Sequence, residues 1–177
     1  EKKFRILLHF FEATSQFISV IYLSAFQADS NLEFSEHMKK INKTLKDRNV
    51  LPFEKSSFNT WNYVIRYFSK RTRDLLNEES KKNNNQEEED ESITIKEYFH
   101  DSSLNLPRII SQKSILKILE HAYNIRNEST GHGGFIEKEY AKFYNDKLRN
   151  LLEEFRKEMG NIWEKALLIR GINMEYE

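Results

Sequence analysis

The apolar residues of this chain recur mostly at steps of three and four, which is the period of an amphipathic α-helix. The longest apolar segment covers residues 4–26, and on a helical wheel its polar residues fall on one narrow stripe: Arg5, His9, Glu12, Gln16 and Ser19. These polar residues also interrupt the apolar run that a membrane span needs. The pattern therefore predicts a central core helix with one polar edge.

Two further helices are predicted in the first half of the chain. Residues 31–50 place apolar residues at helical spacing between charged ones, with Ser35 as a possible cap, so we expect a short surface helix there. Residues 58–76 carry a continuous apolar stripe, which predicts a second long helix. The opposite face of that helix is polar and basic, with Asn62, Tyr63, Arg66, Lys70 and Arg73.

The helical pattern stops at residues 78–91. This segment is rich in lysine and asparagine and ends in a run of five acidic residues, so it has too few apolar side chains to offset the entropy of ordering it. We expect a mobile acidic loop there. Because the helices on both sides are expected to pack together, residues 1–177 are predicted to form a single domain.

The second half of the chain predicts two more helices, separated by glycines. Pro107 introduces a third long helix over residues 109–126, whose buried side carries Ile115, Ile118, Leu119 and Ala122. A last helix is predicted over residues 137–169, where apolar residues alternate at steps of three and four, as helix packing requires. The expected fold is therefore an all-α bundle of about four core helices with a short extra helix.

The composition agrees with an all-α fold and removes several functional classes. Glycine (5) and proline (2) are scarce, and charged residues make up 32% of the chain. The formal net charge of +0 gives no overall field for nucleic acid or membrane, so any contact with nucleic acid must be local. The count of zero cysteines excludes disulfides and thiol catalysis. The chain enters a helix directly from Glu1, which suggests a fragment of a longer protein.

Arg126 is the most informative residue because it shares a helical face with Ala122, Leu119 and Ile115. A buried guanidinium needs a partner, which could be a carboxylate, a subunit interface or a bound anion. An arginine in a last helical turn can also simply cap the final carbonyls. Three of the five glycines follow shortly after it, in Gly131-His132-Gly133-Gly134, which indicates that backbone freedom matters there.

The segment from Arg126 to His132, with five residues between them and Asn127 directly after the arginine, resembles the R-x4-6-H motif of HEPN domains (higher eukaryotes and prokaryotes nucleotide-binding). The resemblance implies a four-helix layout in which this motif ends one core helix. In ribonucleases of that family, two copies of the motif meet at a dimer interface and form a composite site. The glycines on both sides of His132 depart from many members, which carry a small apolar residue before the histidine.

The residue chemistry fits RNA cleavage. RNA supplies its own nucleophile in the 2′-hydroxyl, so a proton-transfer group near neutral pKa and a cation for the transition state suffice. His132 and Arg126 offer these two roles without a metal or other cofactor. Asn127 can orient the imidazole or contact phosphate, and Gly131 and Gly133 give the loop its freedom. His132 bonded to a backbone carbonyl and Asn127 as a turn former are the structural alternatives.

Two other surfaces are weaker candidates. Glu12, paired with His9 on the polar edge of the first helix, can orient Arg126 or His132, or can be a solvated side chain neutralised by Arg5. Arg66, Lys70 and Arg73 can track an RNA backbone with Tyr63 stacking on a base, although a solvated helix back explains them as well. The remaining histidines have no spacing that suggests a zinc site.

No phosphate-binding glycine loop and no nucleophile elbow occurs in the sequence. The expected function is a metal-independent endoribonuclease, cytoplasmic and homodimeric, acting in a prokaryotic defence, toxin or stress system, as the family resemblance implies. The alternative is a non-catalytic dimerisation, nucleotide-binding or RNA-binding module attached to further domains or regulated by another protein. We expect no membrane partner.

Overall fold

A computed structural model describes residues 2–27, 31–85, 94–101, 103–130 and 138–162. Within these ranges the chain is all-α, as predicted, and contains no strand. Its elements, in chain order, are α1 (Lys2–Phe26), α2 (Asn31–Asp47), a 3-10 helix (Phe53–Lys55), α3 (Phe58–Asn85), α4 (Ile95–Phe99), α5 (Asn105–Ile110), α6 (Lys113–Thr130) and α7 (Lys138–Met159).

The long helices α1, α3, α6 and α7 pack against one another around one apolar core. Helices α1 and α3 run in the same direction, because Ser15 donates a hydrogen bond to Asn62 at 3.1 Å and, one step further along both helices, the hydroxyls of Tyr22 and Ser69 lie 3.0 Å apart. Helix α7 also runs parallel to α1, since the rings of Phe4 and Phe11 contact those of Tyr144 and Phe155, respectively.

Helix α6 runs antiparallel to the other three. Near its start, Ser114 donates a hydrogen bond to Glu158 close to the end of α7, at 2.6 Å. Near its end, the ring of Tyr123 lies 5.8 Å from the ring of Phe58 at the start of α3. The C-terminal end of α6, which carries Arg126, therefore lies at the end of the bundle where the other three long helices begin.

The polar stripe of α1 does not form one solvated edge. Ser19 is fully buried and its hydroxyl donates to the carbonyl of Ser15 at 2.8 Å, while Glu12 is half-buried and His9 and Gln16 are exposed. The exposed positions of α1 are instead mixed, because Ile6, Phe10 and Val20 are exposed as well as polar residues. The sequence did not show which side of α1 would face the core, because apolar residues cover almost the whole circumference of this helix and the core contacts less than half of it.

By length and composition α1 is apolar enough to cross a membrane, the one such helix among the residues described. The core helix of a soluble protein passes the same test, and several large side chains of α1 lie in the bundle core: Phe4, Phe11, Ile18, Tyr22 and Phe26.

Helix α3 extends further than predicted. Residues 78–85, expected to belong to a loop, continue the helix, whereas 86–91 lie outside the described residues. Adding residues to an existing helix is cheap because nucleation is already complete, and glutamate and lysine are good helix formers. Glu79 also pairs with Lys96 of α4 at 2.9 Å, which ties the extension to the bundle.

The predicted third long helix is two helices, α5 and α6, with a break at Ser111 and Gln112. The Ser111 carbonyl, which leaves the helical pattern, accepts a hydrogen bond from the guanidinium of Arg73. The predicted last helix is interrupted after Met159, where Gly160 takes the left-handed conformation (φ 55°) that terminates helices, and residues 163–169 of the prediction lie outside the described residues. The short helix α4, which sequence periodicity missed, begins with a capping box between Thr94 and Glu97.

Candidate functional site

Arg126 lies in the last turns of α6, on the edge of the face that packs into the core. Ile115, Leu119 and Ala122 are fully or almost fully buried, as predicted for this face, whereas Arg126 itself is half-buried. The carbonyl of Arg126 accepts a hydrogen bond from the buried Ser129 hydroxyl at 2.9 Å, which satisfies one of the carbonyls left unpaired at a helix end. This hydrogen bond helps to hold the backbone of Arg126 in the helical conformation.

Asn127 is exposed on the same turn, next to Arg126. The predicted residues Gly131, His132 and Gly133 lie outside the described residues, so the structure bears only on the arginine side of the motif. Helix α6 ends at Thr130, directly before this segment. The motif thus begins within a helix, as the resemblance implies for its arginine.

Glu12, predicted as a supporting residue, is half-buried on α1. It lies one residue beyond Phe11, whose ring is fully buried against Phe155 of α7. Ser15 and Ser19, on the next two turns of α1, both face α3 through hydrogen bonds. Glu12 therefore belongs to the border between the core and solvent.

The predicted basic face of α3 is mostly engaged in contacts within the fold. Arg66 forms an ion pair with Glu120 of α6, and Arg73 donates to the carbonyl of Ser111. Tyr63 is half-buried under Arg48, whose guanidinium lies 5.6 Å from the ring centroid. Lys70 is exposed. Asn62, expected on the same outer face, is buried and bonds to Ser15.

Two aromatic side chains at the start of α7 are exposed, which the sequence did not predict. Tyr140 and Phe143 are 58% and 53% exposed, which is unusual for large aromatic side chains. The ammonium of Lys147 lies 4.3 Å from the centroid of the Phe143 ring and 5.8 Å from that of Tyr144. We call Tyr140, Phe143 and Lys147 the aromatic-lysine surface. A helical wheel contains part of its signal: Phe143 lies about 80° from Leu151, outside the buried stripe of Leu148, Leu151 and Phe155, whereas Tyr140 lies only about 20° from Leu151 and is not separated from that stripe.

The aromatic-lysine surface adjoins the end of α6. Tyr144, between the two exposed positions and the core, is hydrogen-bonded to Glu128, two residues after Arg126. Burial raises the pKa of the Tyr144 hydroxyl, and the negative charge of Glu128 with this hydrogen bond raises it further. The hydroxyl therefore stays protonated at neutral pH and holds α7 against the last turns of α6.

Among the described side chains, no group of three or more histidine, aspartate or glutamate residues is placed to hold a metal ion. Two grooves between α1 and α7 at this end of the bundle have a mixed lining: lysine, arginine and asparagine side chains lie beside Glu139 in one groove and beside Glu153 and leucines in the other. What the arrangement offers chemically is a fixed arginine, an exposed amide and a stacking surface within one end of the bundle.

Comparison of the chain with protein-family models, with curated proteins and with solved structures gave no significant match.

Proposed function

We propose that this chain is a metal-independent endoribonuclease of the HEPN type whose site is built from Arg126, Asn127 and His132. One observation carries the proposal: the arginine of the R-x4-6-H motif is half-buried on the last turns of a core helix, at the same end of the bundle as the exposed aromatic residues of α7.

The proposed reaction uses the RNA 2′-hydroxyl as the nucleophile. Its oxygen attacks the adjacent phosphorus while the bond from phosphorus to the 5′-oxygen breaks, which yields a 2′,3′-cyclic phosphate and a 5′-hydroxyl end. His132 transfers the proton from the attacking 2′-hydroxyl to the departing 5′-oxygen, and the planar guanidinium of Arg126 stabilises the extra charge on the phosphate oxygens. Asn127 contacts the phosphate or orients the imidazole.

The aromatic-lysine surface replaces the basic face of α3 as the proposed RNA-binding region. Stacking of a base on an exposed aromatic ring contributes about 1–3 kcal/mol and tolerates any base, and a lysine beside the ring can contact the phosphate. Arg66 and Arg73 are already engaged within the fold, whereas Tyr140 and Phe143 are open to solvent. We propose a homodimer whose two α6 ends form a composite site, acting in the cytoplasm within a defence, toxin or stress system.

The proposal is tested by incubating purified protein with single-stranded and structured RNA. His132→Ala should lower the cleavage rate by a factor of about 10² to 10⁴, the usual contribution of a general acid or base. The matched control is His121→Ala, which removes an exposed histidine from the same helix, α6, and should leave the rate unchanged. Equal rates for the two variants would overturn the assignment of His132.

A second candidate function is an RNA-binding module without cleavage. It is favoured by the aromatic-lysine surface, which can bind single-stranded RNA whether or not His132 is correctly placed. Binding without cleavage by the wild-type protein would select this function over the first.

A further inference from the structure

The side of α1 that faces away from the core carries a row of apolar residues. Ile6, Phe10, Phe17 and Val20 are 57%, 39%, 36% and 51% exposed, and Ala13 in the middle of the row is exposed as well. One side of the Phe10 ring packs edge-on against the core rings of Phe11 and Phe155, and the rest of the ring is open to solvent. Their spacing is four, three, four and three residues, which is the repeat of a helix that packs against another helix. We call these five residues the outer seam.

We infer that the outer seam binds the outer seam of a second copy of this chain, with the two α1 helices antiparallel. This contact lies on a different helix from the proposed catalytic site and does not depend on the proposed function. Antiparallel α1 helices hold the two α6 ends of the pair apart, so the seam is a second interface, separate from the one that would form the composite site. The seam interface is symmetric: where one residue of the first copy contacts a second residue of the other copy, the same two residues are also in contact with the copies exchanged.

The sizes of the side chains fit this arrangement. In the register that places Phe10 against Ala13 of the second copy, the large ring lies over the small residue twice, once on each side of the symmetry axis. The same register sets Ile6 against Phe17 of the second copy and Val20 against the apolar stem of Lys3. Alternating large and small residues across facing positions is what close helix packing needs.

The exposed area is also of the right order. With about 150–200 Å² for each large apolar side chain, the exposed fractions leave roughly 300–350 Å² of apolar surface on the seam. A standard interface covers about 800 Å² per partner, of which a little over half is apolar. The seam alone therefore supplies most of the apolar part of a small interface.

Charge decides the orientation. The basic residues of α1 cluster in its first turns, at Lys2, Lys3 and Arg5. Parallel packing would bring the two clusters together, whereas antiparallel packing separates them and brings each near the negative end of the other helix dipole. A second copy in antiparallel orientation is therefore favoured.

Disulfide cross-linking tests the register directly, because the natural chain contains no cysteine. Lys3→Cys protein is mixed with Val20→Cys protein under mild oxidation, and intact mass identifies the dimers. The antiparallel register places residue 3 opposite residue 20 of the other copy, whereas two identical positions lie about 25 Å apart at 1.5 Å per residue. Mixed dimers should therefore exceed both homodimers by at least about tenfold, since a disulfide needs Cα atoms within about 7 Å.

A charge on the seam should abolish the contact. In an Ala13→Glu background the yield of mixed dimer should fall at least about tenfold, because two carboxylates would be desolvated near the symmetry axis. Gln16→Glu adds the same charge on the exposed side of the same helix, one turn away and off the seam, and should leave the yield within about twofold. Circular dichroism confirms that the helices of both variants are retained.

Three results would overturn the inference. Homodimers in place of mixed dimers would indicate parallel packing, and an unchanged yield with Ala13→Glu would place the contact elsewhere. Absence of cross-linking, with the protein instead sedimenting with vesicles that contain anionic lipid, would show that the seam binds a lipid surface.

Discussion

At the scale of single residues, Tyr140 and Phe143 make the most direct prediction about RNA. Both rings are exposed beside Lys147, so replacing both with alanine removes the stacking surface but no core packing. The double variant should bind a short single-stranded RNA about 10- to 100-fold more weakly, corresponding to about 1–3 kcal/mol. Fluorescence anisotropy in the His132→Ala background measures binding without cleavage.

Leu51→Ala is the control for this experiment, because Leu51 is an exposed apolar residue that does not belong to the aromatic-lysine surface. Its effect on affinity should be less than about twofold. If the Tyr140→Ala/Phe143→Ala variant binds as tightly as this control, RNA does not use the aromatic-lysine surface.

Asp101 gives a prediction about pH. Burial raises the pKa of its carboxyl, but hydrogen bonds from the Ser103 hydroxyl and from the backbone amides of Leu106 and Ser103 lower it more, so the pKa lies below its ordinary value. A lowered pKa in the folded state means that Asp101 stabilises the fold above the unfolded-state pKa of about 3.9, and that this contribution disappears as the pH falls through the folded-state pKa.

Asp101→Ala should therefore reduce the free energy of unfolding by about 1 kcal/mol at pH 7, the usual net value of such hydrogen bonds, and by less near pH 3. Urea unfolding at both values measures the difference. Asp47→Ala, at an exposed aspartate at the end of α2, serves as the control. A loss of stability that is larger at pH 3 than at pH 7 would contradict the sign of the effect.

At the scale of helices, the contact between α1 and α3 is unusual because it contains buried hydrogen bonds. The side chains of Ser15 and Asn62 are both buried, and each would be left unsatisfied without the other. Asn62→Ala should lower the free energy of unfolding by about 1–3 kcal/mol. Asn77→Ala changes an exposed asparagine of the same helix and should cost less than about 0.5 kcal/mol. Equal effects of the two substitutions would show that the buried pair contributes nothing.

The extension of α3 beyond Leu76 predicts slow exchange where the sequence suggested a loop. Amides of residues 79–82 have helical partners, and Glu79 is paired with Lys96. Hydrogen exchange should therefore be at least about tenfold slower there than in an unfolded chain, and Glu79→Ala should reduce this protection. Exchange at the unfolded rate in the wild-type protein would contradict the helical extension.

The helices that the sequence predicted correctly are those with a long apolar period. Residues 4–26 and 58–76 fall within α1 and α3, because many residues repeat the same face. Helix α4 has five residues, too few for a period, and its start depends on the local bonds between Thr94 and Glu97. The sequence did not reveal the break before α6, because apolar residues keep their helical spacing on both sides of Ser111 and Gln112, although the helix itself is interrupted there.

At the scale of the whole molecule, the sequence indicated which residues share a helix face but not which helices meet. Arg126 was expected on a packed face of its helix, and it lies on the edge of that face. That α6 ends beside the start of α7, with Glu128 bonded to Tyr144, depends on the direction of each helix in the bundle. One-dimensional patterns therefore did not reveal that the aromatic-lysine surface and Arg126 lie at the same end of the bundle.

The central claim is that RNA is cut by its own 2′-hydroxyl at a site that contains His132 and Arg126. The most direct measurement is the chemical nature of the ends that wild-type protein produces from a defined RNA in the presence of EDTA, with a DNA strand of the same sequence alongside. We predict 2′,3′-cyclic phosphate and 5′-hydroxyl ends, intact DNA, and loss of these products with His132→Ala. Products with 5′-phosphate ends, cleavage of the DNA, or cleavage that stops when EDTA is added would contradict it.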